Sequence, residues 1–148
     1  MDKKIVIATH DGMFHSDDVF AVAALLIMLD GAPVVTNIMR TRETEAIVKA
    51  DFVVDVGGEY SAEKNRFDHH QIGGAGAREN TVPYASFGLV WKKFGTEITG
   101  EVSGAVDRHL VSAIDAHDSG VDLYTKTIPS ALPYLVDQFV HNLRPTWE

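Results

Sequence analysis

Histidine and aspartate are concentrated in a few short parts of this chain and together have the composition of a metal centre. Residues 10–18 read HDGMFHSDD and residues 68–70 read DHH. Between them, Asp55 follows an apolar run, and residues 115–118 read DAHD. The chain has no cysteine, so imidazole nitrogens and carboxylate oxygens would have to be the ligands. This supply is sufficient for two divalent ions and predicts an enzyme that uses a metal-activated water, with a phosphate ester as the expected substrate.

The size and composition of the chain suit one ordinary globular domain. It has 148 residues, of which 45% are hydrophobic and 23% charged. No apolar run approaches the ~20 residues that span a bilayer. The first five residues lack the features of a secretory signal. We therefore expect a cytoplasmic protein with no membrane partner, and the sequence does not indicate its oligomeric state.

The net charge of −8 disfavours tight, non-specific binding to duplex nucleic acid. Several of the acids would be metal ligands, however, and two divalent cations would add positive charge where a phosphate binds. The acidity therefore weakens the polynucleotide interpretation without excluding it.

The segments that must position these residues alternate between strand and helix. Apolar runs predict strands at residues 5–9, 34–39 and 52–56. Helices are predicted between them, one capped by Ser16 and running to residue 29 and one at residues 43–49. This alternation predicts an α/β fold with a doubly wound, mainly parallel sheet flanked by helices. Beyond it we expect a long glycine-containing loop at 71–83 and helices at 85–94, 102–118 and 132–143.

The predicted sheet brings these residues to one edge, because ligands bind outside the carboxyl ends of parallel strands. Residues 10–17 follow the first strand and Asp55 ends the third. Arg40 and Arg42 follow the second strand at the same edge, where they could hold phosphate oxygens. Arg78, in the long loop, is an ordinary surface arginine that could do the same.

The first cluster allows two interpretations. His10 and His15 flank a turn at Gly12, so both imidazoles can face one ion while Asp17 reaches a neighbouring ion. Alternatively, the histidines are polar loop residues, and Asp17 and Asp18 are favourable first-turn acids of a helix. We assign only Asp18 to that structural role.

Asp55 needs a strong partner, because a buried unpaired carboxylate costs several kcal/mol. The backbone amides of Gly57 and Gly58 are one possibility. A position between two cations is the better explanation, since a carboxylate has two oxygens.

Adjacent histidines in an extended segment point in opposite directions, so we expect only one of His69 and His70 to bind a given metal. The other would contact substrate, and Asp68 would orient an imidazole. A pair of surface histidines is the alternative. In the last cluster Asp115 is the best ligand candidate, and the roles of Asp11, His117 and Asp118 stay open.

At these residues the sequence resembles the DHH phosphoesterase superfamily and, more closely, a family of metal-dependent hydrolases named after a melanocyte proliferating gene product. The matching segments follow the expected order along nearly the whole chain: residues 9–18, 40–42, 53–60, 66–71, 82–91 and 114–118. The resemblance implies the following ligands: His10, His15 and Asp55 for one ion, and Asp17, Asp55, His69 and Asp115 for a second. His70 would contact the phosphate, so that His70, Asp55 and Asp68 form the catalytic group.

The resemblance also implies an activity, namely 3′–5′ exonuclease action on short single-stranded RNA or DNA. Manganese is the expected ion, with Co, Zn or Mg as alternatives. We expect residues 1–148 to form a single DHH-type catalytic domain without the capping domain of related proteins. A phosphohydrolase of small nucleotides, dinucleotides or pyrophosphate-like compounds is the main alternative. A non-catalytic module that binds metal or nucleotide is the third.

Overall fold

A five-stranded, mostly parallel sheet forms the centre of the structure. The computed structural model describes residues 3–125, 127–128, 131 and 133–144. The strands are β1 (Lys3–Thr9), β2 (Val34–Arg40), β3 (Phe52–Val54), β4 (Tyr60–Ser61) and β5 (Arg66–Phe67). Their order is β2-β1-β3-β5-β4, and every neighbouring pair is parallel except β4 with β5.

Helices cover both faces of this sheet. They are α1 (Ser16–Leu29), α2 (Thr44–Lys49), α3 (Ser86–Thr99), α4 (Ser103–Val106), α5 (Ser112–Asp118) and α6 (Val136–Asn142). Buried residues of α1, α3 and α5 share the larger apolar core, whereas Ile47 of α2 belongs to a smaller core on the opposite face. The predicted doubly wound α/β fold is thus confirmed.

Alternation along the strands explains how one sheet supplies two cores. Ile5 and Ile7 of β1 belong to the larger core, while Val6 and Ala8 pack in the smaller one. Successive strand side chains point to opposite faces, so a parallel strand covered on both sides must be apolar throughout.

The strand order creates a crevice between β1 and β3. The chain leaves β1 through α1 toward β2 on one side, and then crosses through α2 to β3 on the other side of β1. The loops after β1 and β3 therefore diverge, and ligands of doubly wound folds bind at such a point. Residues 10–15 and Asp55 follow these two strands.

Two boundaries beside the crevice differ from the predictions, and two short strands were not predicted. The third strand ends at Val54 instead of residue 56, because Asp55 has a left-handed backbone with φ of +55°. The N-cap of α1 is His15 instead of Ser16, and its amide donates to the Asp18 carboxylate at 2.7 Å. The strands β4 and β5 have two residues each, too few to produce a recognisable pattern.

The helix predicted at residues 102–118 is interrupted by a π-helical segment, Asp107–Val111, between α4 and α5. A π turn contains about one residue more than an α turn, which rotates the following residues by roughly 100°. Helical spacing of apolar and small residues across this segment predicts that Ala113, Ile114 and His117 lie on one buried face. Ile114 is buried as predicted, but Ala113 and His117 are exposed, while Val111 and Asp115 are buried. The predicted apolar face is therefore confirmed at Ile114 and wrong at the other two positions.

The remaining helices also differ in length from the predictions. The helix predicted at 85–94 extends to Thr99, and the tail helix is confined to Val136–Asn142. Leu132, the expected start of the tail helix, lies outside the described residues. Within the described ranges, no helix has both the length and the apolar character needed to cross a bilayer.

Replacing Leu25 with alanine should lower the free energy of unfolding by about 2–5 kcal/mol, because it removes a fully buried side chain from the larger core. Leu26→Ala is the matched control: this neighbour in α1 is 38% exposed, and its loss should cost about 1 kcal/mol or less. Urea unfolding followed by tryptophan fluorescence measures both values. Equal losses would contradict the orientation of α1.

Candidate metal centre

His10 is buried at the carboxyl end of β1, with one ring nitrogen left for a cation. Its Nδ1–H donates to the Asp11 carbonyl at 2.8 Å, so in the neutral ring Nε2 carries a free lone pair. Nε2 lies 3.4 Å from Asp18 Oδ2 and 3.5 Å from Asp55 Oδ2. It has no hydrogen-bond partner in the described part of the chain. A lone pair facing two carboxylates requires positive charge between them, from either a proton or a metal ion.

Asp55 directs its two oxygens at different imidazoles. Oδ2 faces His10, while Oδ1 lies 3.3 Å from His69 Nε2 and 3.5 Å from His70 Nδ1. Ser86, the first residue of α3, donates its hydroxyl to Oδ1 at 3.2 Å. Burial acts to raise the pKa of Asp55, but the facing imidazoles of His10 and His69 outweigh it and hold this pKa below its ordinary value. This is the arrangement expected of a carboxylate that bridges two cations.

The backbone of Asp55 adds strain at the same point. A positive φ is uncommon outside glycine, although aspartate tolerates it better than most residues. Such conformations cost of order 1–3 kcal/mol and are concentrated at functional sites. The left-handed turn ends β3 and places the carboxylate in the crevice beside His10.

His69 repeats the pattern of His10 on the other side of Asp55. Its Nε2 lies 3.2 Å from Asp118 Oδ2 and 3.3 Å from Asp55 Oδ1, without a hydrogen-bond partner among the described residues. Burial lowers the pKa of His69, but Asp118 and Asp55 raise it more strongly, to about 10. Without a metal, this imidazole therefore carries the proton that supplies positive charge between the two carboxylates.

His70 and His69 lie on the same side, with ring centroids 4.3 Å apart. The expectation that they point in opposite directions was wrong, because residues 68–70 are not part of a strand. Asp68 Oδ1 accepts the His70 amide at 3.1 Å and lies 2.7 Å from its Nδ1. The other Asp68 oxygen accepts the Gly58 amide at 2.5 Å. Asp68 is therefore buried in a position that orients His70.

Asp17 is fully buried against the N-terminus of α3. Its two oxygens accept the amides of Phe87 at 2.7 Å and Ser86 at 3.0 Å, where the helix dipole also favours negative charge. Burial and the neighbouring carboxylates, Asp55 first among them, still raise the pKa of Asp17 well above its ordinary value. A cation nearby would relieve this repulsion.

The described side chains form three overlapping groups that could hold a metal ion. In each group one possible ligand atom per residue lies within 4.8 Å of the others: His10, His15 and Asp55; Asp55, His69 and His70; and Asp17, His69 and Asp118. The structure thus brings together all three ligands predicted for the first ion and Asp17, Asp55 and His69 for the second.

Asp115 does not join these groups, contrary to the prediction. Its Oδ2 lies 2.6 Å from Arg78 Nη1, and its Oδ1 accepts the Gly88 amide at 2.9 Å. Burial raises the pKa of Asp115 to about 6, although Arg78 and the amide both lower it. Asp118, one helical turn later, lies beside His69 instead. Asp118, whose role the sequence analysis left open, thus lies where Asp115 was expected.

Arg78 is also placed differently from the prediction. Its side chain is only 7% exposed, and its guanidinium binds both Asp115 and Asp107, the latter through Nε at 3.2 Å and Nη2 at 2.8 Å. A contact with substrate phosphate is therefore not available to it. Gly88 permits this packing, because a Cβ there would overlap Asp115 Oδ2 and crowd Arg78.

Arg40 and Arg42 hold the loop that carries His10 and His15. Arg40 donates to the Gly12 carbonyl at 2.6 Å and to the His10 carbonyl at 3.3 Å. Arg42 Nε lies 3.0 Å from Asp11 Oδ1. Both arginines lie at the predicted edge of the sheet, where they fix the shape of the loop at residues 10–15.

A cleft of about 490 Å³ opens over these groups. Its lining residues are His15, Asp55, His69, His70, His117, Asp118, Ser119, Asp137 and Arg144. Asp137 of α6 lies 3.3 Å from His117 Nε2, and its other oxygen accepts the Ser16 hydroxyl at 3.3 Å. Arg144 donates through Nε to the Phe14 carbonyl at 2.6 Å.

Sequence reasoning missed Arg144, Asp137, Ser86 and Asp118. Arg144 is 130 residues from its partner Phe14, and no local pattern indicates such a contact. Ser86 carried a weak signal, because it lies within the matching segment 82–91 at the start of a helix.

Comparison with known proteins gives one family. A family model described as an uncharacterised protein family, UPF0160, and labelled as the MYG1 exonuclease family, matches residues 6–148. The mouse (Mus musculus) MYG1 exonuclease is 33% identical over 95% of this chain and 42% of its own length. The human (Homo sapiens) MYG1 exonuclease is 30% identical over 95% of this chain and 43% of its own length. A MYG1 protein of Schizosaccharomyces pombe is 32% identical over 99% of this chain and 50% of its own length.

This chain spans at most half the length of these three relatives. No solved structure matches it. The family suggested by the sequence motifs is confirmed, whereas the placement in the DHH superfamily stays a prediction. Because the family model covers nearly the whole chain, this chain belongs to the MYG1 family, UPF0160.

Proposed function

We propose that this chain is a dinuclear, metal-dependent phosphodiesterase that acts as a 3′–5′ exonuclease on short single-stranded RNA or DNA. The observation that carries this proposal is the geometry of Asp55, whose two oxygens face His10 and His69 separately. In both imidazoles the facing nitrogen is buried and lacks a hydrogen-bond partner within the described ranges. The names of the mouse and human relatives, MYG1 exonuclease, agree with this activity.

The residues present fit two divalent ions with mixed nitrogen and oxygen ligation. The proposed ligands are His10, His15 and Asp55 for one ion, and Asp17, Asp55, His69 and Asp118 for the other. Such a donor set suits Mn(II) or Co(II) and tolerates Zn(II), whereas Mg(II) favours sites with fewer imidazoles. When bound, the ions would supply the Lewis acidity that activates a water and offsets charge on the phosphate.

His70 is the side chain best placed to act on the substrate. It is 62% exposed in the cleft, and Nδ1 donates to the Asp68 carboxylate at 2.7 Å. Its Nε2 is left to bind a phosphate oxygen or to exchange a proton with the leaving group. Asp68 fixes the orientation of His70, and Asp55 holds the two halves of the centre together.

Arg144 can hold the substrate phosphate in the role predicted for Arg78. It lines the cleft, and its bond to Phe14 uses only Nε. Nη1 donates to His141 Nδ1, so Nη2 and the second Nη1 hydrogen remain for a phosphate oxygen. Arg40 and Arg42, at the end of β2, contact the loop at residues 10–15 and position its proposed ligands.

A phosphohydrolase of small nucleotides or dinucleotides is the second candidate. It is favoured by the net charge of −8 and by the cleft, in which Arg144 is the single Lys or Arg among the described lining residues. A long polyanion gains little electrostatic attraction from such a surface. The single catalytic domain over 1–148, the DHH-type assignment and the cytoplasmic location remain predictions beside this proposal.

Asp55→Asn should reduce manganese-dependent release of mononucleotides from a labelled oligonucleotide by more than about 100-fold, because it removes the shared ligand. Manganese binding measured by calorimetry should weaken in parallel. Asp30→Asn, at an exposed aspartate after α1, is the matched control and should change neither. Unaltered metal binding in Asp55→Asn would refute the proposed centre. Turnover of dinucleotides with intact oligonucleotides would favour the second candidate.

Manganese binding should release protons at about neutral pH and become tighter as the pH rises. The metal-free His69 has a pKa of about 10, because Asp118 and Asp55 outweigh the opposing effect of burial. Its proton must therefore leave before the nitrogen can bind a metal, which costs up to about tenfold in affinity per pH unit below that pKa. Calorimetry in buffers of different ionisation enthalpy counts the released protons. The His69→Gln variant should release fewer protons when it binds manganese. A manganese affinity independent of pH would argue against His69 as a ligand.

Arg144→Gln and Arg78→Gln should have different consequences. Arg144→Gln should raise KM by about tenfold with little effect on stability, since a charge-assisted phosphate contact is lost at an open cleft. Arg78→Gln should lower the free energy of unfolding by about 3–5 kcal/mol, because it leaves Asp115 and Asp107 without their buried partner. Steady-state kinetics and urea unfolding separate the two effects. An unchanged KM in Arg144→Gln would remove Arg144 from the substrate site.

A further inference from the structure

A second concavity lies beside the metal centre, against the sheet face covered by α2. We call it the α2 pocket. It has a volume of about 310 Å³ and is lined by Arg42, Thr44, Ile47, Val48, Val53, Val56, Gly57, Glu59 and Arg66. We propose that the α2 pocket binds the base of a nucleotide whose phosphate lies at the metal centre. The nature of this ligand rests on the proposed function.

The pocket has the form of a small-molecule site. Its floor consists of the buried side chains of Ile47, Val53 and Val56, and polar groups are confined to its rim. Small-molecule sites combine an apolar lining with a few polar groups at volumes of about 300–1,000 Å³. Gly57 keeps one wall open, since a Cβ there would lie 3.3 Å from Ile47 Cγ2.

Arg66 supplies a rigid planar group in the wall. Its guanidinium donates to the Lys64 carbonyl at 3.1 Å and to the Val48 carbonyl at 3.2 Å, which fixes the plane. Unstacked bases bind to proteins by stacking on aromatic rings or on guanidinium planes. A flat heterocycle is therefore the ligand that this wall and the apolar floor suit best.

The rim is positive although the chain as a whole is acidic. Glu59 is paired with Lys64 at 2.8 Å, and Asp11 with Arg42 at 3.0 Å. Arg66 has no carboxylate partner within the described part of the chain, so these five side chains leave an excess of one positive charge. Arg42 uses Nε for Asp11, and its two terminal nitrogens remain for a phosphate oxygen.

The pocket and the metal centre are joined through two short connections. Gly57 is two residues after Asp55, so their Cα atoms are at most about 7.6 Å apart. Arg42 contacts Asp11, whose carbonyl accepts the Nδ1–H of His10. The α2 pocket and the cleft have no lining residue in common, and this short separation is the basis on which one nucleotide would span them.

Binding of adenosine 5′-monophosphate and ribose 5-phosphate to the full chain tests this inference, because the two ligands differ only at C1, which carries adenine in one and a hydroxyl group in the other. Calorimetry should show the nucleotide binding at least about tenfold tighter. Val48→Trp should reduce this ratio to less than about twofold by filling the pocket from α2. Ile27→Trp, on α1 and outside the pocket, is the matched control and should preserve the ratio. Val48 and Ile27 are 67% and 60% exposed, so neither change disturbs a core.

Equal affinity for the two ligands in the wild type, no binding of either, or an unchanged ratio in Val48→Trp would overturn the inference. Manganese-dependent hydrolysis of a dinucleotide by the same samples reports separately on the proposed function. Hydrolysis without base discrimination would refute the α2 pocket alone, whereas base discrimination without hydrolysis would refute the proposed activity alone.

Discussion

Buried negative charge is the constraint around which the carboxyl edge of this sheet is built. Asp17, Asp18, Asp55, Asp68 and Asp115 are each at most 4% exposed. An unpaired carboxylate in such a position costs several kcal/mol, so each one requires its own partner. Backbone amides serve Asp17 and Asp68, imidazoles surround Asp55, and a guanidinium holds Asp115. Loops, helix termini and distant arginines all converge here to meet that requirement.

The first half of the fold could be predicted because its signals are local. Apolar runs, the stop after residue 30 and the alternation of strand with helix lie within a few residues of the elements they specify, and β1, α1, β2 and α2 appear within about two residues of the expected bounds. Their connectivity then determines where the crevice must be. The turn at Asp55 could not be foreseen, because its left-handed backbone is stabilised by groups remote in sequence.

The structure differs from the expected ligand set where one extra residue changes the orientation of a helix. The π segment Asp107–Val111 shifts every following side chain around the axis, so Asp115 turns toward Arg78 and Asp118 toward His69. A periodicity of 3.6 residues carried through this segment misplaces the side chains that follow it, whereas Asp115 was expected as a ligand from the family resemblance. His10, His15, Asp17 and His69 lie in loops or first turns near strand ends, where no such shift accumulates, and these residues do converge on Asp55.

These side chains lie close together in space but far apart in sequence, so they are synthesised at different times. His10 leaves the ribosome 108 residues before Asp118, a delay of roughly 5–20 s at ordinary translation speeds. The proposed ligands of the first ion are all synthesised once Asp55 has emerged, whereas those of the second ion stay incomplete until Asp118 of α5 is added. The first of the two proposed sites can therefore form before α5 has docked, and the second only afterwards.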